Sequence, residues 1–443
     1  MNAYPRPHED YSTSYKYYVV FVLALVSTFN TVDRALIMVL AEPIKQEFAL
    51  SDTQLGLLAG LIFAVSYSLA GIPLGMMIDR YRRTRMLAGM LAVWSCLTAA
   101  SGLAGSWITL ALARMGVGAA ESGANPASMS LITDYFPKER RGFALSVFFA
   151  STPLGMMLSF AIGGVLAAAY GWRAVFLIFG IPGILLAILL LSTVREPRRG
   201  NYDDAAATES RGGYRLREAL GTLLRVRPLL LLLLAAVCVV IAQAGLAAFL
   251  SPFLIRIHQL SIDEAGFAIA LAKGPTGIAG IIAGGILADW LARRSTWAGP
   301  RMVGFLVTLA APFAIAALFA SSWQVAIVLF AAYNFFNYIY YGATFATYMT
   351  LAPVHMRGVL AGILAVALTM IGYSTGPTLA GTASDLFAAA GVADPLRWAL
   401  VVTASFFAVA GGLFLAAARS IRRREAERPG EDPAAIVAEG RAG

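Results

Sequence analysis

The segment RMGVGAAES, residues 114–122, places two opposite charges in a stretch that is otherwise apolar from about residue 108 to about residue 135. In a helix, Arg114 and Glu121 share one face and lie roughly 10 Å apart along the axis. Because that separation is long for a direct ion pair, each charge is expected to meet a partner on another helix or water in a cavity. A charge at mid-bilayer costs about 2.5–3.5 kcal/mol. The segment therefore predicts either a structural ion-pair network or, as we favour, a coupling or substrate site within a membrane.

The composition of the 443-residue chain is that of a polytopic membrane protein, with 59% hydrophobic and 13% charged residues. Twelve apolar stretches are each long enough to cross a hydrocarbon core of about 30 Å. These predicted spans are 16–40, 53–79, 85–105, 107–134, 140–169, 173–194, 228–256, 262–290, 300–320, 323–350, 357–386 and 396–418. We therefore predict an all-α polytopic membrane protein with twelve transmembrane helices.

The basic residues indicate the orientation of these spans. Of the 34 Lys and Arg residues, 27 fall on one side of the predicted topology, three lie within spans, and only Lys45, Arg173, Arg256 and Arg397 fall on the other side. By the positive-inside rule, both termini are predicted to be cytoplasmic. The net charge of +9 then needs no nucleic-acid partner. The absence of Asn-x-Ser/Thr sequons and the excess of Arg over Lys favour a bacterial inner (plasma) membrane.

A polar segment divides the spans into two groups of six. The predicted regions are a cytoplasmic segment 1–15, a first bundle 16–194, a cytoplasmic linker 195–227, a second bundle 228–418 and a cytoplasmic tail 419–443. The first 15 residues lack an apolar core, so we expect no cleavable signal peptide. Within the linker, residues 216–224 predict an amphipathic surface helix.

Two pairs of similar motifs relate the two groups of spans. The sequence GMMIDRYRR, residues 75–83, follows the second span, and GILADWLARR, residues 285–294, follows the eighth. Likewise PKERRG, residues 137–142, opens the fifth span, and PVHMRG, residues 353–358, opens the eleventh. The members of the two pairs are separated by 210 and 216 residues, which indicates duplication of a six-span unit.

With this duplication, the sequence resembles the major facilitator superfamily of secondary transporters over about residues 15–419. The resemblance implies two six-helix bundles that rock between inward- and outward-open states around a cavity lined by the first, fourth, seventh and tenth helices. It also implies a gating role on the cytoplasmic side for the motif residues. These are Gly75, Asp79, Arg80 and Arg83 in the first half, and Asp289 and Arg293 in the second.

Further motifs are similar to the spinster family of lysolipid and sphingosine-phosphate transporters. They are NTVDR at 30–34, LSDTQLGLL at 50–58, and Arg114 with Gly118, Glu121 and Pro126 followed by DYFP at 134–137. An Asp-Arg pair in the first helix and an Arg…Gly…Glu fourth helix also occur in organic-anion:cation symporters, which form the alternative. A multidrug exporter is a third alternative, weakened because the pair Gly376-Pro377 lies in the eleventh span rather than the fifth.

The deep charges of the first half predict coupling to protons. Asp33 and Arg34 in the first span and Arg114 and Glu121 in the fourth sum to zero, so gain of one proton would unbalance them. We predict that Asp33 and Glu121 form the proton-coupling pair, with Arg34 and Arg114 as charge partners. The energy source is then a proton gradient, and no cofactor is expected.

In the second half, Lys273 places a positive charge near the middle of the eighth span. It lies about 16 residues, or roughly 24 Å, from Asp289, which is too far for the side chain to reach the membrane surface. The ammonium group is expected to be neutral, to bind backbone carbonyls or a carboxylate, or to receive an anionic substrate group. Gly274-Pro275 is predicted to break the helix beside it.

The tenth span carries Asn334, Tyr338, Tyr341, Phe345 and Tyr348 at helical spacing on one face. This face is either a packed aromatic seam or a cavity wall for an amphiphile. The predicted substrate-binding residues are Asn30, Lys273, Asn337, Tyr338, Tyr341, Thr369 and Tyr373. The predicted substrate is a small amphipathic molecule or lipid, such as a lysophospholipid or sphingoid phosphate, carried by a monomer in contact with membrane lipids.

An enzyme is not expected from this sequence, and we predict no catalytic residues and no metal site. The three histidines, His8, His258 and His355, lie near loops or termini, and no GxSxG or HExxH sequence is present. Cys96 and Cys238 fall within spans, so no disulfide or zinc site is expected.

Overall fold

A computed structural model describes residues 11–202, 216–292, 294–353 and 356–427. Across these residues the regular secondary structure is helical, which confirms the predicted all-α class. The first half contains the helices α1 (Thr13–Val39), α2 (Ala41–Phe48), α3 (Asp52–Ala59), α4 (Leu61–Arg80), α5 (Arg83–Ser101), α6 (Trp107–Glu121), α7 (Ala124–Tyr135), α8 (Lys138–Phe149) and α9 (Ser151–Thr193).

The second half continues with α10 (Leu216–Arg225), α11 (Arg227–His258), α12 (Ile262–Ala292), α13 (Ala298–Leu318), α14 (Trp323–Tyr338), α15 (Tyr340–Leu351), α16 (Arg357–Ala367), a π-helix (Leu368–Tyr373), α17 (Ser374–Ala389) and α18 (Pro395–Glu427). The predicted linker helix is present as α10, in which Ala219 and Leu223 are buried. Most of the N-terminal segment, part of the predicted linker and the end of the tail lie outside the described residues.

Nine segments of the described chain are long and apolar enough to cross a membrane. One of them, Arg140–Thr193, is 54 residues long and contains two predicted spans. Gly171 separates these spans, because its φ of +77° interrupts α9 at the position where the sequence predicts a turn. The count of twelve spans and the cytoplasmic position of the termini stay predictions.

The described helices pack into two compact units. The first unit comprises Met1–Leu36 and Val65–Gly212, and the second comprises Ile37–Ala64 and Gly213–Gly443. The boundary falls within α1 and α4, so the segment Ile37–Ala64 makes most of its contacts with the second half of the sequence. The predicted division into two bundles, 16–194 and 228–418, follows the sequence repeat and stays a prediction.

In the first unit, glycines of α9 allow close helix contacts. A Cβ atom at Gly180 would lie 2.7 Å from the carbonyl oxygen of Ser95 on α5, and one at Gly155 would lie 2.8 Å from that of Thr28 on α1. Small residues at helix crossings let backbones approach in membranes, where lipid offers no competing hydrophobic force. These contacts hold α1 and α5 against α9 and so fix the positions of the charged residues on α1.

In the second unit, two crossings bring backbones together. A Cβ atom at Gly376 on α17 would lie 2.3 Å from the carbonyl oxygen of Ile241 on α11. A Cβ atom at Gly56 on α3 would lie 2.3 Å from the carbonyl oxygen of Pro377. The helix α17 is therefore held between α11 on one side and α3 on the other.

The predicted helix break at Gly274-Pro275 is wrong, because α12 continues through Pro275. Transmembrane helices tolerate proline when neighbouring helices and hydroxyl side chains satisfy the nearby backbone groups. Here the hydroxyl of Thr276 donates to the carbonyl of Ala272, and the amide of Asn334 on α14 donates to the carbonyl of Lys273 at 3.2 Å.

Candidate functional site

Two ion pairs join α1 to α6 within the first unit. Nη1 of Arg114 lies 2.8 Å from Oδ1 of Asp33, and Nη2 of Arg114 donates to the backbone carbonyl of Asp33 at 3.1 Å. Nε of Arg34 lies 2.8 Å from Oε2 of Glu121. The two charges of α6 therefore bind partners on another helix, as their separation of seven residues led us to expect. The adjacent residues Asp33 and Arg34 of α1 thus bind both charges of α6.

The two carboxylates have different surroundings. Both oxygens of Asp33 are engaged, since the hydroxyl of Thr98 on α5 donates to Oδ2. By contrast, Oε1 of Glu121 is buried and accepts no hydrogen bond from any described residue. A buried, unsatisfied carboxylate oxygen is costly, and protonation of that oxygen would relieve the cost. The two carboxylates thus differ in that Glu121 keeps one oxygen without a hydrogen-bond donor among the described residues.

Arg34 connects this buried carboxylate to a more open surface. Its side chain is 32% exposed, whereas that of Glu121 is 0% exposed. The guanidinium also lies 4.6 Å from the ring centre of Tyr67 on α4, which is within cation–π range. Neither Tyr67 nor Thr98 was predicted as a site residue, because a single polar residue in an apolar span carries no distinctive spacing.

In the second unit, the predicted Lys273 lies beside a polar and aromatic group. The side chain of Asn334 donates to the Lys273 carbonyl and, at 2.9 Å, to the hydroxyl of Thr276. A Cβ atom at Gly277, one turn from Lys273, would lie 3.5 Å from the ring of Tyr338. Lys273 is therefore at the contact between α12 and α14, and its side chain is half-buried.

The predicted aromatic face of the tenth span divides into buried and exposed parts. The rings of Tyr338 and Tyr341 stack with centroids 5.7 Å apart. Tyr341 is 37% exposed, and Phe345 is more exposed than Tyr341. Asn334 and Tyr348, further along the same face, are buried. The face is thus neither wholly a packed seam nor wholly an open wall, and its open part is centred on Tyr341.

Other predicted substrate-binding residues occupy varied positions. Tyr373 is exposed and lies close enough to Tyr338 and Tyr341 to interact with them electrostatically. It ends the π-helix that also contains Thr369, and such single π-turns are frequent at functional sites. Asn337 is buried, and neither atom of its amide is bonded to a described residue.

The predicted Asn30 belongs to the first unit rather than to this aromatic group. It is buried on α1, and its Nδ2 donates to no described residue.

Among the predicted gating residues, Arg83 is the most strongly bound. Its guanidinium is buried and contacts Asp134 on α7, and its Nε lies 2.8 Å from Oε1 of Glu196 after α9. Asp79 and Arg80 are exposed, and a Cβ atom at Gly75 would meet open space. All described contacts of Arg83 are within the first unit.

The second-half gating residues cannot be placed in the same way. The side chains of Asp289 and Arg293 lie outside the described part of the structure.

Glu196 also caps the beginning of α5, a role that the sequence did not predict. It accepts hydrogen bonds from the backbone N–H of Thr84 at 2.8 Å and from the Thr84 hydroxyl at 2.7 Å. Burial by itself would raise the pKa of Glu196, but these hydrogen bonds and the Arg83 guanidinium lower it below its ordinary value. The carboxylate thus stays ionised at the positive end of a helix.

A second charged cluster, also not predicted, occupies the second unit. Arg256 on α11 donates to both oxygens of Asp52, at 2.9 and 3.0 Å, and its Nε donates to Glu42 at 2.7 Å. Ser384 on α17 donates to Asp52 at 2.6 Å, and the backbone N–H of Thr53 donates to Asp385 at 2.8 Å. The beginning of α3 is therefore bound by both α11 and α17.

Comparison with known proteins shows that the sequence is similar to membrane transporters. The model of the Major Facilitator Superfamily matches residues 23–377. An MFS-type efflux pump of Mycolicibacterium smegmatis is 32% identical over 406 residues, which cover 90% of this chain and 92% of that protein. A probable galactarate/D-glucarate transporter of Bacillus subtilis is 28% identical over 309 residues, which cover 64% of this chain and 66% of that protein.

A solved structure gives a similar result. The crystal structure of a bacterial homologue of the human lysosomal transporter Spinster, in an inward-facing and unoccupied conformation, superposes with a TM-score of 0.84 at 29% identity. The match covers 93% of this chain and 99% of that one. The family match spans most of the chain, and the helices follow a spinster homologue over nearly their whole length, so the protein belongs to the major facilitator superfamily of membrane transporters.

Proposed function

We propose that the protein is a proton-coupled secondary transporter that moves an anionic amphiphile of the lysophospholipid or sphingoid phosphate type by alternating access. The observation that carries the proposal is the paired arrangement of Asp33 with Arg114 and of Arg34 with Glu121. Three of these four charges are buried, Arg34 is partly exposed, and the set, which sums to zero, is stable only while each charge keeps its partner. Gain or loss of a proton at one carboxylate therefore changes the preferred packing of α1 against α6.

The proton is carried by Glu121 in this proposal, with Asp33 holding Arg114 in place. Oε1 of Glu121 is free to take a proton without breaking a hydrogen bond to a described residue. Once Glu121 is neutral, Arg34 loses its charged partner and is released toward its exposed side, where it retains the Tyr67 ring. Conversely, a substrate anion or a structural change that draws Arg34 away from Glu121 would favour protonation of Glu121.

The substrate class is inferred from the second unit. Lys273 provides a positive charge one turn from Gly277, which lies beside the Tyr338 ring of the stacked pair Tyr338 and Tyr341, and Tyr373 adds a further phenol. Tyrosine offers a broad apolar ring with a polar tip, which suits a molecule with an acyl chain and a polar head. We place the phosphate or carboxylate of the substrate near Lys273 and its chain along the exposed tyrosine rings.

A second candidate is proton symport of a small organic acid, favoured by the similarity to a probable galactarate/D-glucarate transporter. The same Lys273 would then bind a carboxylate, while the exposed tyrosines would contact sugar hydroxyls. Efflux of hydrophobic compounds is a further alternative, because one relative is described as an efflux pump. These alternatives differ in whether binding requires an acyl chain, an anionic group, or both.

The test is ligand binding to purified wild type and to two variants, Lys273→Met and Lys273→Arg. The probes are lysophosphatidic acid, the matching monoacylglycerol without phosphate, and D-glucarate. We expect wild type and Lys273→Arg to prefer the phosphorylated lipid, and Lys273→Met to lose that preference. Equal affinity for the two lipids in wild type would exclude the anionic amphiphile, and tighter binding of D-glucarate would favour the organic acid.

A further inference from the structure

A cavity of about 600 Å³ lies at one end of the second unit, where α12 ends and α13 begins. It is lined by Leu291, Arg294, Ser295, Trp297, Ala298, Arg301, Met302 and Phe305. The two flanking helices belong to candidate membrane spans, Ile262–Ala288 and Ala298–Leu318, so the cavity lies at the level where these spans leave the apolar core. None of the residues assigned to transport lines it.

Two arginines, Arg294 and Arg301, line this cavity, and a third, Arg422, lies beside the ring of the lining residue Trp297. The guanidinium of Arg294 lies 3.8 Å from the ring centre of Trp290. Arg301 and Arg422 lie 5.6 and 5.4 Å from the ring centre of the same residue, Trp297. Cation–π contacts hold a guanidinium in position while leaving its N–H donors open to a ligand.

No carboxylate among the described side chains forms an ion pair with any of these three arginines. The positive charges are therefore not neutralised by that part of the protein, and their repulsion favours the binding of an anion. The beginning of α13 also favours the binding of an anion, because the first N–H groups of a helix carry partial positive charge. Arginine forks match the geometry of phosphate oxygens.

The apolar part of the cavity continues onto an exposed face of α13. Phe305 lies one turn beyond Arg301 on α13 and is 56% exposed, and Leu309 is exposed one turn further. Trp290 and Trp297 have the amphipathic rings that are enriched at membrane interfaces. The site thus combines a cationic head region with an apolar strip that runs along α13.

We propose that this cavity binds the phosphate headgroup of an anionic phospholipid, such as phosphatidylglycerol, from the adjoining leaflet. The phosphate diester is bound by Arg294, Arg301 and Arg422, and an acyl chain lies along Phe305 and Leu309. This lipid is a bound component of the membrane rather than the transported substrate. It would tie the end of α18 to the α12–α13 connection and so stabilise the second unit.

The experiment measures lipid binding to the purified full chain in detergent by native mass spectrometry. The probes are dioleoyl phosphatidylglycerol and dioleoyl phosphatidylcholine, which share acyl chains but differ in net charge. We expect tighter binding of phosphatidylglycerol by wild type. Each of Arg294→Gln and Arg301→Gln should weaken it about fivefold, the fold-change that corresponds to about 1 kcal/mol per basic residue near an anionic surface, while phosphatidylcholine binding stays unchanged.

A matched control separates this site from other sources of charge. Arg423→Gln removes an exposed arginine of α18 that does not line the cavity. It should bind phosphatidylglycerol as wild type does. The proposal fails if Arg294→Gln and Arg301→Gln also bind it as wild type does, or if wild type does not distinguish the two lipids. Displacement of the lipid by an equal concentration of glycerol 3-phosphate would instead assign the site to a soluble phosphate.

Discussion

Arg256 binds Asp52 through two parallel hydrogen bonds, although 204 residues separate them in the sequence. The contact lies within the second unit and joins the beginning of α3 to α11. Bidentate arginine–carboxylate pairs are among the strongest polar contacts in proteins and are geometrically specific. In a transporter, a contact of this kind between segments from the two halves of the sequence is a candidate conformational latch.

Loss of this ion pair should release α3 from its neighbours. Asp52→Asn removes the charge that binds Arg256, Lys45 and Ser384, and bonds to charged groups contribute about 1.5–3 kcal/mol each. With Cys96 and Cys238 replaced by serine, spin labels at Gln46→Cys and Ala389→Cys measure the separation of α2 from the end of α17. We expect a longer, broader distance distribution in Asp52→Asn.

A matched control for this latch is Glu264→Gln, which neutralises an exposed carboxylate outside the cluster. It should leave the distances unchanged. Identical distributions in wild type and Asp52→Asn would show that the cluster does not hold α3 in place.

The packing of α3 against α17 gives an independent test. At Gly56 an added methyl group would meet the carbonyl oxygen of Pro377 at 2.3 Å, so Gly56→Ala must push the two helices apart. We expect the same lengthening of the Gln46–Ala389 label distance, with all ion pairs chemically intact. The comparison is Gly89→Ala, where no atom lies within 4 Å of the added methyl group. Equal behaviour of the two variants would contradict the close contact.

Glu196 predicts a specific pH dependence of stability. Because the pKa of Glu196 is lowered in the folded protein, the unfolded chain binds more protons, and folding is favoured above the unfolded pKa. That stabilisation is lost as the pH falls through the folded pKa. In thermal unfolding, Glu196→Gln should therefore lower the midpoint at neutral pH and reduce its decline on acidification. A parallel shift at every pH would mean that the carboxylate charge is not responsible.

The sequence predicted the charged residues of the first unit but not their pairing. A helical spacing of seven placed Arg114 and Glu121 on one face, and charges in an apolar span had to find partners. Which partner each would take depends on how α1 is positioned, and small residues such as Gly155, which lets α9 approach α1, have no sequence signature of their own. Thr98 and Tyr67 could not be identified for the same reason.

The charged cluster around Asp52 illustrates the other limit of sequence reasoning. Asp52, Lys45 and Arg256 lie at or near the ends of spans, where charges are expected to be solvated. Their positions in the sequence therefore did not indicate a cluster. Only the three-dimensional packing of α3 against α17 brings Asp52 to Arg256. The sequence also led us to predict a break in α12 that does not occur. The rule that proline breaks helices is derived from soluble proteins, whereas a transmembrane helix can continue through proline.

Asp33 should be as necessary for coupling as Glu121, although for a different reason. Asp33→Asn retains an oxygen for Arg114 but removes the charge that balances this buried arginine. We expect a folded protein whose transport no longer responds to a pH gradient. Asp263→Asn, a carboxylate near the beginning of α12, is the control and should respond as wild type does. A normal gradient response in Asp33→Asn would remove this residue from the coupling mechanism.

The most direct test of proton coupling is transport by Glu121→Gln in proteoliposomes, with whichever probe, lysophosphatidic acid or D-glucarate, binds to wild type. Two modes are compared: exchange of labelled for unlabelled substrate without a gradient, and accumulation driven by an imposed pH gradient. If Glu121 carries the proton, the variant keeps exchange because the glutamine still accepts from Arg34, but it loses gradient-driven accumulation. Accumulation by Glu121→Gln at the wild-type level would contradict the mechanism.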